Sequence, residues 1–307
     1  MSELTEKATV ALDNLSSDGG LLNPEQNNTF IRNLIDQPTM LNEIRSIPMS
    51  GPTMQLNKIG FGSRIMRAAN QTLGANGEDE GRALSAADRA KPDLGKVELV
   101  TKELIAEVRI PYEVLEDNIE RGGMQNTILA LIAERAALDL EELVLRGDTA
   151  SGDSYLAQTD GVLKLANSNV VDAAGAAISA DVFNDMVKAL PTRYRRNKNL
   201  MRHYVPMDVE QDYRLVLSSR GTSLGDDLLT GNRAVPVFGS PMRPAALMPD
   251  ANLLYTDPQN IIFGIQRNIR VESEKLISER MVKIVLTTRV AVQIEEVDAM
   301  TKCINLG

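Results

Sequence analysis

Several residue types that carry enzyme chemistry are scarce in this chain of 307 residues, which has one cysteine, one histidine and no tryptophan. A lone cysteine excludes a disulfide framework within the chain. With a single histidine as well, Cys/His zinc sites, Ser-His-Asp triads and Cys-His dyads are poorly supported. The aromatic residues are five Phe and six Tyr, few for a protein that binds nucleic acid by base stacking.

The sequence also lacks segments of the membrane or secretory type. No apolar run approaches the roughly 18 to 20 residues that a membrane-spanning helix needs, and residues 1–30 lack the basic start and apolar core of a secretory signal. The formal net charge of −9 opposes non-specific binding to nucleic acid or anionic membranes. Apolar residues make up 43% of the chain, which is typical of a globular protein, and the length predicts about two domains.

The negative charge is concentrated in one part of the chain. Residues 101–160 contain 13 acidic and 5 basic residues, whereas residues 161–257 contain 10 acidic and 11 basic ones. This separation has two interpretations that the sequence leaves open. Acidic and basic faces of different copies of the chain could pair with each other, or the acidic segment could be a solvated helix.

The first 110 residues predict an arm followed by a long β-hairpin. The arm has little periodicity, apart from an extended segment, GGLLNP at 19–24, and one short amphipathic helix with apolar positions Phe30, Ile31, Leu34 and Ile35. Residues 51–61 and 97–110 predict two strands, and a polar loop over 74–95 connects them. A loop of this length without apolar periodicity is usually functional or mobile. We therefore expect the hairpin to project from the body of the protein.

The longest predicted helix extends from Met124 to about Arg146, and Gly147 follows it as a typical C-terminal residue. The apolar stripe along this helix predicts its core positions, which are Ile128, Ile132, Ala136 and Leu140.

A mixed region follows, in which the sequence predicts helices over 179–190 and 208–218 and a short strand over 203–205. Ser179 is the expected cap of the first of these helices. Near the C-terminus, every second residue from Val282 to Ile294 is apolar except Thr288. This alternation predicts a half-buried antiparallel strand, with residues 269–273 as its partner.

Few residues in the sequence suggest binding chemistry. Thr192 to Tyr204, TRYRRNKNLMRHY, is the best candidate for a nucleic-acid contact. The acidity of the remaining chain favours the alternative, a basic helix end that forms an interface patch. The segment GDTASG at 147–152 lacks the lysine and spacing of a phosphate-binding loop. We interpret His203 and Cys303 as structural residues, and predict no active site, metal site or cofactor.

The order of these elements resembles the major capsid protein of tailed bacteriophages, which has the Hong Kong ninety-seven fold. The resemblance extends from Gly19 over essentially the whole chain, and each motif is weak alone, so the order and spacing of the motifs carry it. The motifs are GGLLNP with its amphipathic segment, VTKELIAEVRIPYEVLEDN, the alanine-rich helix ending in LVLRGD, TDGVL at 159–163, and IRVESEKLISERMVKIVLTTRVAVQIEEVDA. Of these, TDGVL looks like the family's strand that follows the long helix.

The resemblance implies an α+β fold with four parts. These are an N-terminal arm (1–50), an extended loop (51–100), a peripheral domain with a long spine helix and antiparallel strands (101–172 and 266–307), and an α+β axial domain (173–265). It implies a shell subunit rather than an enzyme, assembling as hexamers and pentamers into an icosahedral phage head around double-stranded DNA.

The same resemblance implies where the protein acts and what it contacts. The expected location is the virion, after assembly in the cytoplasm of the host bacterium. The expected partners are other copies of the chain, a separate scaffolding protein, a portal protein and decoration proteins. Packaged DNA would lie nearby without sequence-specific binding, and no membrane is involved. The alternatives are an encapsulin-type bacterial compartment shell and a soluble enzyme.

Some family members join their subunits by an isopeptide bond between a hairpin lysine and an asparagine of the peripheral loop. The matching segment here, residues 295–301, offers Asp298 and no asparagine, so we expect no such bond. Our candidate interface residues are charged positions on the hairpin, on the axial domain and on the closing strands. They are Glu78, Asp79, Glu80, Arg82, Arg89, Lys91, Arg193, Arg195, Arg196, Asp226, Asp227, Arg270, Arg289 and Asp298.

Overall fold

The computed structural model describes residues 40–61, 64–66, 89–113, 124–219 and 235–307, with side chains for all of these except 124–127 and 268–269. The predicted arm helix and the acidic loop of the hairpin lie outside the described residues. The helices in these ranges are α1 (Met124–Arg146), α2 (Val162–Leu165), α3 (Ala180–Ala189) and α4 (Met207–Ser218). The strands are β1 (Arg45–Pro48), β2 (Thr53–Gly60), β3 (Asp93–Val100), β4 (Lys102–Pro111), β5 (Val170–Asp172), β6 (Arg202–Val205), β7 (Pro236–Val237), β8 (Ser240–Pro244), β9 (Leu253–Thr256), β10 (Ile261–Leu276), β11 (Met281–Ile294) and β12 (Met300–Ile304).

A four-stranded sheet, in the order β1-β10-β11-β4, forms the peripheral part of the molecule. The predicted antiparallel strand is β11, which pairs with β10 on one side and β4 on the other. Buried and half-buried residues alternate along β11 as far as Val290, but Ala291 and Val292 are both buried. The alternation ends there because other elements cover both faces of the sheet. The partner strand β10 is longer than the predicted segment and begins at Ile261.

Helix α1 has the predicted bounds and lies across one face of this sheet. Near its start, Ile128 and Ile132 pack, partly buried, against a cluster that includes Ile110 and Ile284. Near its end, Leu140 is buried in the largest core cluster of the molecule. Further members of that cluster are Leu143, Val144, Tyr204, Phe263 and Val292. The helix therefore connects two separate apolar clusters along its length.

The hairpin consists of β2 and β3, which pair in antiparallel register from Thr53↔Val100 to Gly60↔Asp93. The single strand predicted over 97–110 is wrong, because the chain changes partner at Thr101. The amide nitrogen of Thr101 donates to the carbonyl oxygen of Pro52 at 2.8 Å. Residues before this point pair within the hairpin, and residues after it form β4 of the peripheral sheet.

A second sheet has the order β5-β12-β9-β6-β8-β7. Helix α3 packs on it through Val182, Met186 and Leu190, the predicted face. Ser179 occupies the predicted cap position, but its side chain makes no capping hydrogen bond. The strands β5 and β12 fall in the segments that the sequence assigned to the peripheral domain, yet both belong to this axial sheet.

The chain after α1 does not form the strand suggested by TDGVL. Residues from Val162 form the single turn of α2 instead, and Gly161 is its N-terminal flanking residue. A Cβ atom at Gly161 would lie 2.6 Å from the amide nitrogen of Gly147 and 2.8 Å from the carbonyl oxygen of Val144. Glycine is therefore required here because two backbone segments touch. The amide of Gly161 donates to the carbonyl oxygen of Gly147 at 2.8 Å.

Candidate subunit-interface site

The loop between β11 and β12, residues 295–299, is the centre of the candidate site, and we call it the junction loop. Asn260 holds its backbone at three points. The amide nitrogen of Glu296 donates to Oδ1 of Asn260 at 2.9 Å, and Nδ2 of Asn260 donates to the carbonyl oxygen of Glu296 at 2.9 Å. The amide of Glu295 donates to the carbonyl oxygen of Asn260 at 2.9 Å. The acidic side chains of the loop thus project from a fixed backbone.

Each acidic residue of the junction loop pairs with a different part of the molecule. Oε2 of Glu295 lies 2.7 Å from Nη1 of Arg45, which is on β1. Glu296 pairs with Lys58 on the hairpin. Oδ2 of Asp298 lies 3.1 Å from Nη2 of Arg193, in the axial part of the chain. The loop therefore joins the sheet, the hairpin and the axial region by ion pairs, all of them partly exposed to solvent.

Residues 192–200, which we call the basic turn, form successive turns rather than the end of a helix. The predicted basic helix end is wrong because α3 ends at Ala189, just before the helix-breaking Pro191. The guanidinium of Arg193 lies 4.6 Å from the ring centroid of Tyr194, a cation–π distance. Burial, aided by the nearby carboxylate of Glu296, raises the pKa of Tyr194 to about 12. The tyrosine is therefore neutral at physiological pH.

A cleft of about 640 Å³ separates the basic turn from the junction loop and the hairpin. Arg196 reaches it as an exposed cation, and Leu200 is 52% exposed at its wall. The lining mixes both charge signs with amide groups, the ring of Tyr194 and the apolar side chains of Leu200, Met201 and Ala299. This composition suits a polar polypeptide segment better than a small anion or a metal ion. Within the described residues, no cluster of His, Cys, Asp or Glu could hold a metal ion.

The structure brings two of the predicted interface residues together, Arg193 and Asp298, and it does so within one chain. Arg195 is half-buried and its Nη2 donates to Oγ1 of Thr192 at 3.1 Å. Among the three predicted arginines of the basic turn, which are Arg193, Arg195 and Arg196, only Arg196 is exposed without an ion pair in the described part of the molecule. Some of the acidic and basic residues at this site therefore already form ion pairs within a single chain.

The remaining predicted residues do not gather at one place. Arg270 pairs with Glu272 on the same strand, at 2.8 Å. Arg289 on β11 pairs with Glu103 on β4, also at 2.8 Å. Arg89 and Lys91 are exposed just before β3. The other predicted positions, Glu78, Asp79, Glu80, Arg82, Asp226 and Asp227, lie outside the described residues.

The predicted core residue Ala136 borders a small cavity of about 160 Å³ between α1 and the strands β4 and β11. Tyr155 closes one side of it, and its hydroxyl donates to the carbonyl oxygen of Asp139 at 2.5 Å. Burial is the main cause of the raised pKa of Tyr155. The phenol therefore stays protonated and serves as a hydrogen-bond donor to α1.

His203 and Cys303 are buried, as expected of structural residues. The His203 ring stacks on Tyr255 with centroids 4.2 Å apart and meets the ring of Phe183 edge-on at 5.2 Å. Burial lowers the pKa of His203 to about 3, and burial raises the pKa of the Cys303 thiol. A neutral imidazole and a protonated thiol in a closed core have no access to a substrate.

Sequence reasoning missed Arg45, Lys58 and Asn260 as parts of the site. The pair Glu295-Glu296 was a usable signal, since neighbouring side chains in extended backbone point in opposite directions. The two glutamates can therefore reach cations on different elements, as they do with Arg45 and Lys58. None of the helices in the described ranges has the length and apolar character of a membrane-crossing segment.

The chain matches the family model described as "Phage capsid family" over residues 18–303. A relative from Bacillus subtilis (strain 168), named "Putative prophage capsid protein YqbE", is 42% identical over 99% of this chain and 98% of its own length. Among solved structures, the capsid of a native GTA particle has a TM-score of 0.64 at 19% identity, covering 97% of this chain and 100% of that one. A solved structure from Microbacterium phage Oxtober96 has a TM-score of 0.62 at 17% identity, covering 95% of this chain and 98% of that one.

These matches confirm the resemblance drawn from the sequence motifs. The family match covers far more than half of the chain, and the structural likeness covers 97% and 95% of it in the two structures. The chain therefore belongs to the phage capsid family, has the mixed α and β fold of Hong Kong ninety-seven-type capsid proteins, and is a structural protein of a phage capsid.

Proposed function

We propose that this chain is the major shell subunit of an icosahedral phage head and assembles as hexamers and pentamers around double-stranded DNA. The family match over residues 18–303 carries the proposal. The fold supports it, because the far end of the hairpin presents Ile59 and Leu94, which are 70% and 76% exposed. Exposed apolar residues on a projecting element mark a protein–protein contact. A second copy of the chain is the natural partner.

The proposal divides the chain as the sequence did, into arm, extended loop, peripheral domain and axial domain, with β5 and β12 moved to the axial part. A separate scaffolding protein, a portal protein and decoration proteins are the proposed partners during and after assembly in the host cytoplasm. We infer no catalytic role. The name of the Bacillus relative favours a phage head over an encapsulin-type compartment.

The first test is electron microscopy of the purified protein, expressed alone and together with the products of its neighbouring genes. We expect closed shells or capsomer rings in at least one of the two preparations. A uniform population of monomers or dimers in both would contradict the proposed function.

The exposed cation of the cleft gives a second test of the same proposal. We expect Arg196→Glu to reduce the yield of shells by about tenfold, because reversing one well-placed charge at an interface costs more than about 1 kcal/mol in each repeated contact. The matched control is Arg196→Lys, which keeps the charge and should assemble. Both variants should unfold at the wild-type temperature. Equal assembly of Arg196→Glu and the wild type would remove Arg196 from the interface.

A further inference from the structure

The base of the hairpin packs on the peripheral sheet through an apolar cluster around Leu99, which we call the seat. Leu99 of β3 is fully buried there, in a cluster with Met49, Ile262 and Ala291. Gly264 of β10 lies beneath it, and a Cβ atom at this glycine would be 2.5 Å from Sδ of Met49 and 3.2 Å from Cδ2 of Leu99. The absence of a side chain at Gly264 therefore creates the space in which Leu99 rests.

A second contact holds the hairpin farther from its base. Lys58 lies four residues beyond Met54, the residue paired with Leu99, which is about 13 Å along the strand. Its aliphatic stem packs 3.8 Å from where a side chain of Gly95 would begin, and its ammonium pairs with Glu296. The two side chains are 35% and 26% exposed. An ion pair with this exposure is weak and screened by salt.

The two contacts differ in kind. The seat at Leu99 is apolar and buried, so salt does not weaken it. The pair at Lys58 is electrostatic, and Asn260 holds the backbone of its acidic member, Glu296, through two hydrogen bonds that do not involve Lys58. Beyond the pair, Ile59 and Leu94 are largely exposed.

We propose that the hairpin pivots at Leu99 and is held in one direction by the Lys58–Glu296 pair, which acts as a salt-sensitive latch. Glu296 is then a positioning residue that sets the direction of the hairpin before subunits meet. This inference rests on the proposed function in one respect, which is that the hairpin contacts a neighbouring subunit. When the latch opens, the hairpin swings about its seat while the body of the subunit stays folded.

The test measures hairpin direction in the unassembled subunit. Cysteines replace Leu94 on the hairpin and Ile277, which is 81% exposed on the turn between β10 and β11. Both carry spin labels, whereas the native Cys303 is buried. Pulsed electron paramagnetic resonance gives the distance distribution at 0.1 M and 1 M salt, where the Debye length is about 10 Å and about 3 Å respectively.

We expect one narrow distance to dominate in the wild type at low salt, and its share to fall by up to about fivefold at high salt, because an exposed ion pair contributes at most about 1 kcal/mol. Glu296→Gln should show the smaller share in both buffers. The matched control is Glu295→Gln, which breaks the pair with Arg45 in the same loop but leaves the hairpin latched. Combining Lys58→Glu with Glu296→Lys should restore the larger share of the narrow distance.

A separate variant tests the proposed pivot at Leu99. Gly264→Ala should shift the low-salt distance, because the added methyl overlaps Sδ of Met49 and crowds Leu99, and the shift should occur with unchanged far-ultraviolet circular dichroism. If that variant does not fold, the double charge exchange still decides the question. A wild-type share of the narrow distance in Glu296→Gln, or an equal loss of it in Glu295→Gln, would overturn the proposal. A failure of the proposed function would show separately, as an absence of shells from the wild-type protein.

Discussion

At the scale of single residues, the core of the axial sheet is organised around one aromatic histidine. His203 lies between Phe183 and Tyr255, and burial keeps its ring neutral, with a pKa of about 3. The unfolded chain would protonate the same ring near pH 6.5. Because the pKa is lower in the folded state, the unfolded state binds the proton more readily. Stability is therefore lost as the pH falls below about 6.5.

We expect the unassembled wild-type subunit to lose about 2 to 3 kcal/mol of unfolding free energy from this residue between pH 7 and pH 4.5. His203→Phe keeps the ring contacts and removes the titration. Urea unfolding of both proteins at the two pH values isolates the contribution, because all other titrating groups are shared. An identical loss in the two proteins would show that His203 is not protonated on unfolding.

At the scale of elements, the sequence predicted α1, α3, α4 and β11 because each has a periodic apolar face. The break between β3 and β4 was missed, although a signal was present. The apolar positions are odd-numbered at Val97 and Leu99 and even-numbered at Leu104. A change of phase means that the buried face has changed, which occurs where the chain leaves the hairpin and joins the peripheral sheet.

The candidate site was less predictable than the fold. Arg45 and Glu295 are 250 residues apart in the chain. No local sequence pattern identifies residues that pair over such a distance. The role of Gly264 was hidden for the same reason, since the residues that need its space, Met49 and Leu99, come from distant elements. Composition indicated charged interfaces, but only the fold shows that several of these charges pair within one chain.

The apolar stripe of α1 gives a prediction for this helix. Ile132→Asp should destabilise the subunit by about 3 kcal/mol or more, since it removes apolar contacts with the cluster around Ile110 and places a charge there. Glu134→Asp is the control, because it introduces the same residue on the exposed side of the same helix. Solubility and urea unfolding give the measurement. Wild-type stability of Ile132→Asp would show that this half of the stripe contributes little to the core.

At the scale of the whole molecule, folding and assembly depend on different parts of the chain. The core clusters lie in the two sheets and the helices on them, whereas the far part of the hairpin is exposed. Deleting residues 75–94 removes Asp93 and Leu94 from the start of β3 and leaves Leu99 in its seat. We expect a folded subunit with a wild-type melting temperature and no shells in electron micrographs.

A second variant distinguishes the effect of hairpin length from the effect of its sequence. In this variant a Gly/Ser segment of equal length replaces residues 75–88. Partial recovery of shells in that variant would assign assembly mainly to length. An unfolded product of the deletion would show instead that the loop belongs to the core.

The position of β12 also has a consequence for how the protein is made. It is the last strand of the axial sheet in chain order, yet it lies between β5 and β9. On the ribosome, β5 has no neighbour in that sheet until residues 300–304 have left the exit tunnel. Nascent chains therefore cannot complete the axial sheet before residues 300–304 are available to pair with β5 and β9.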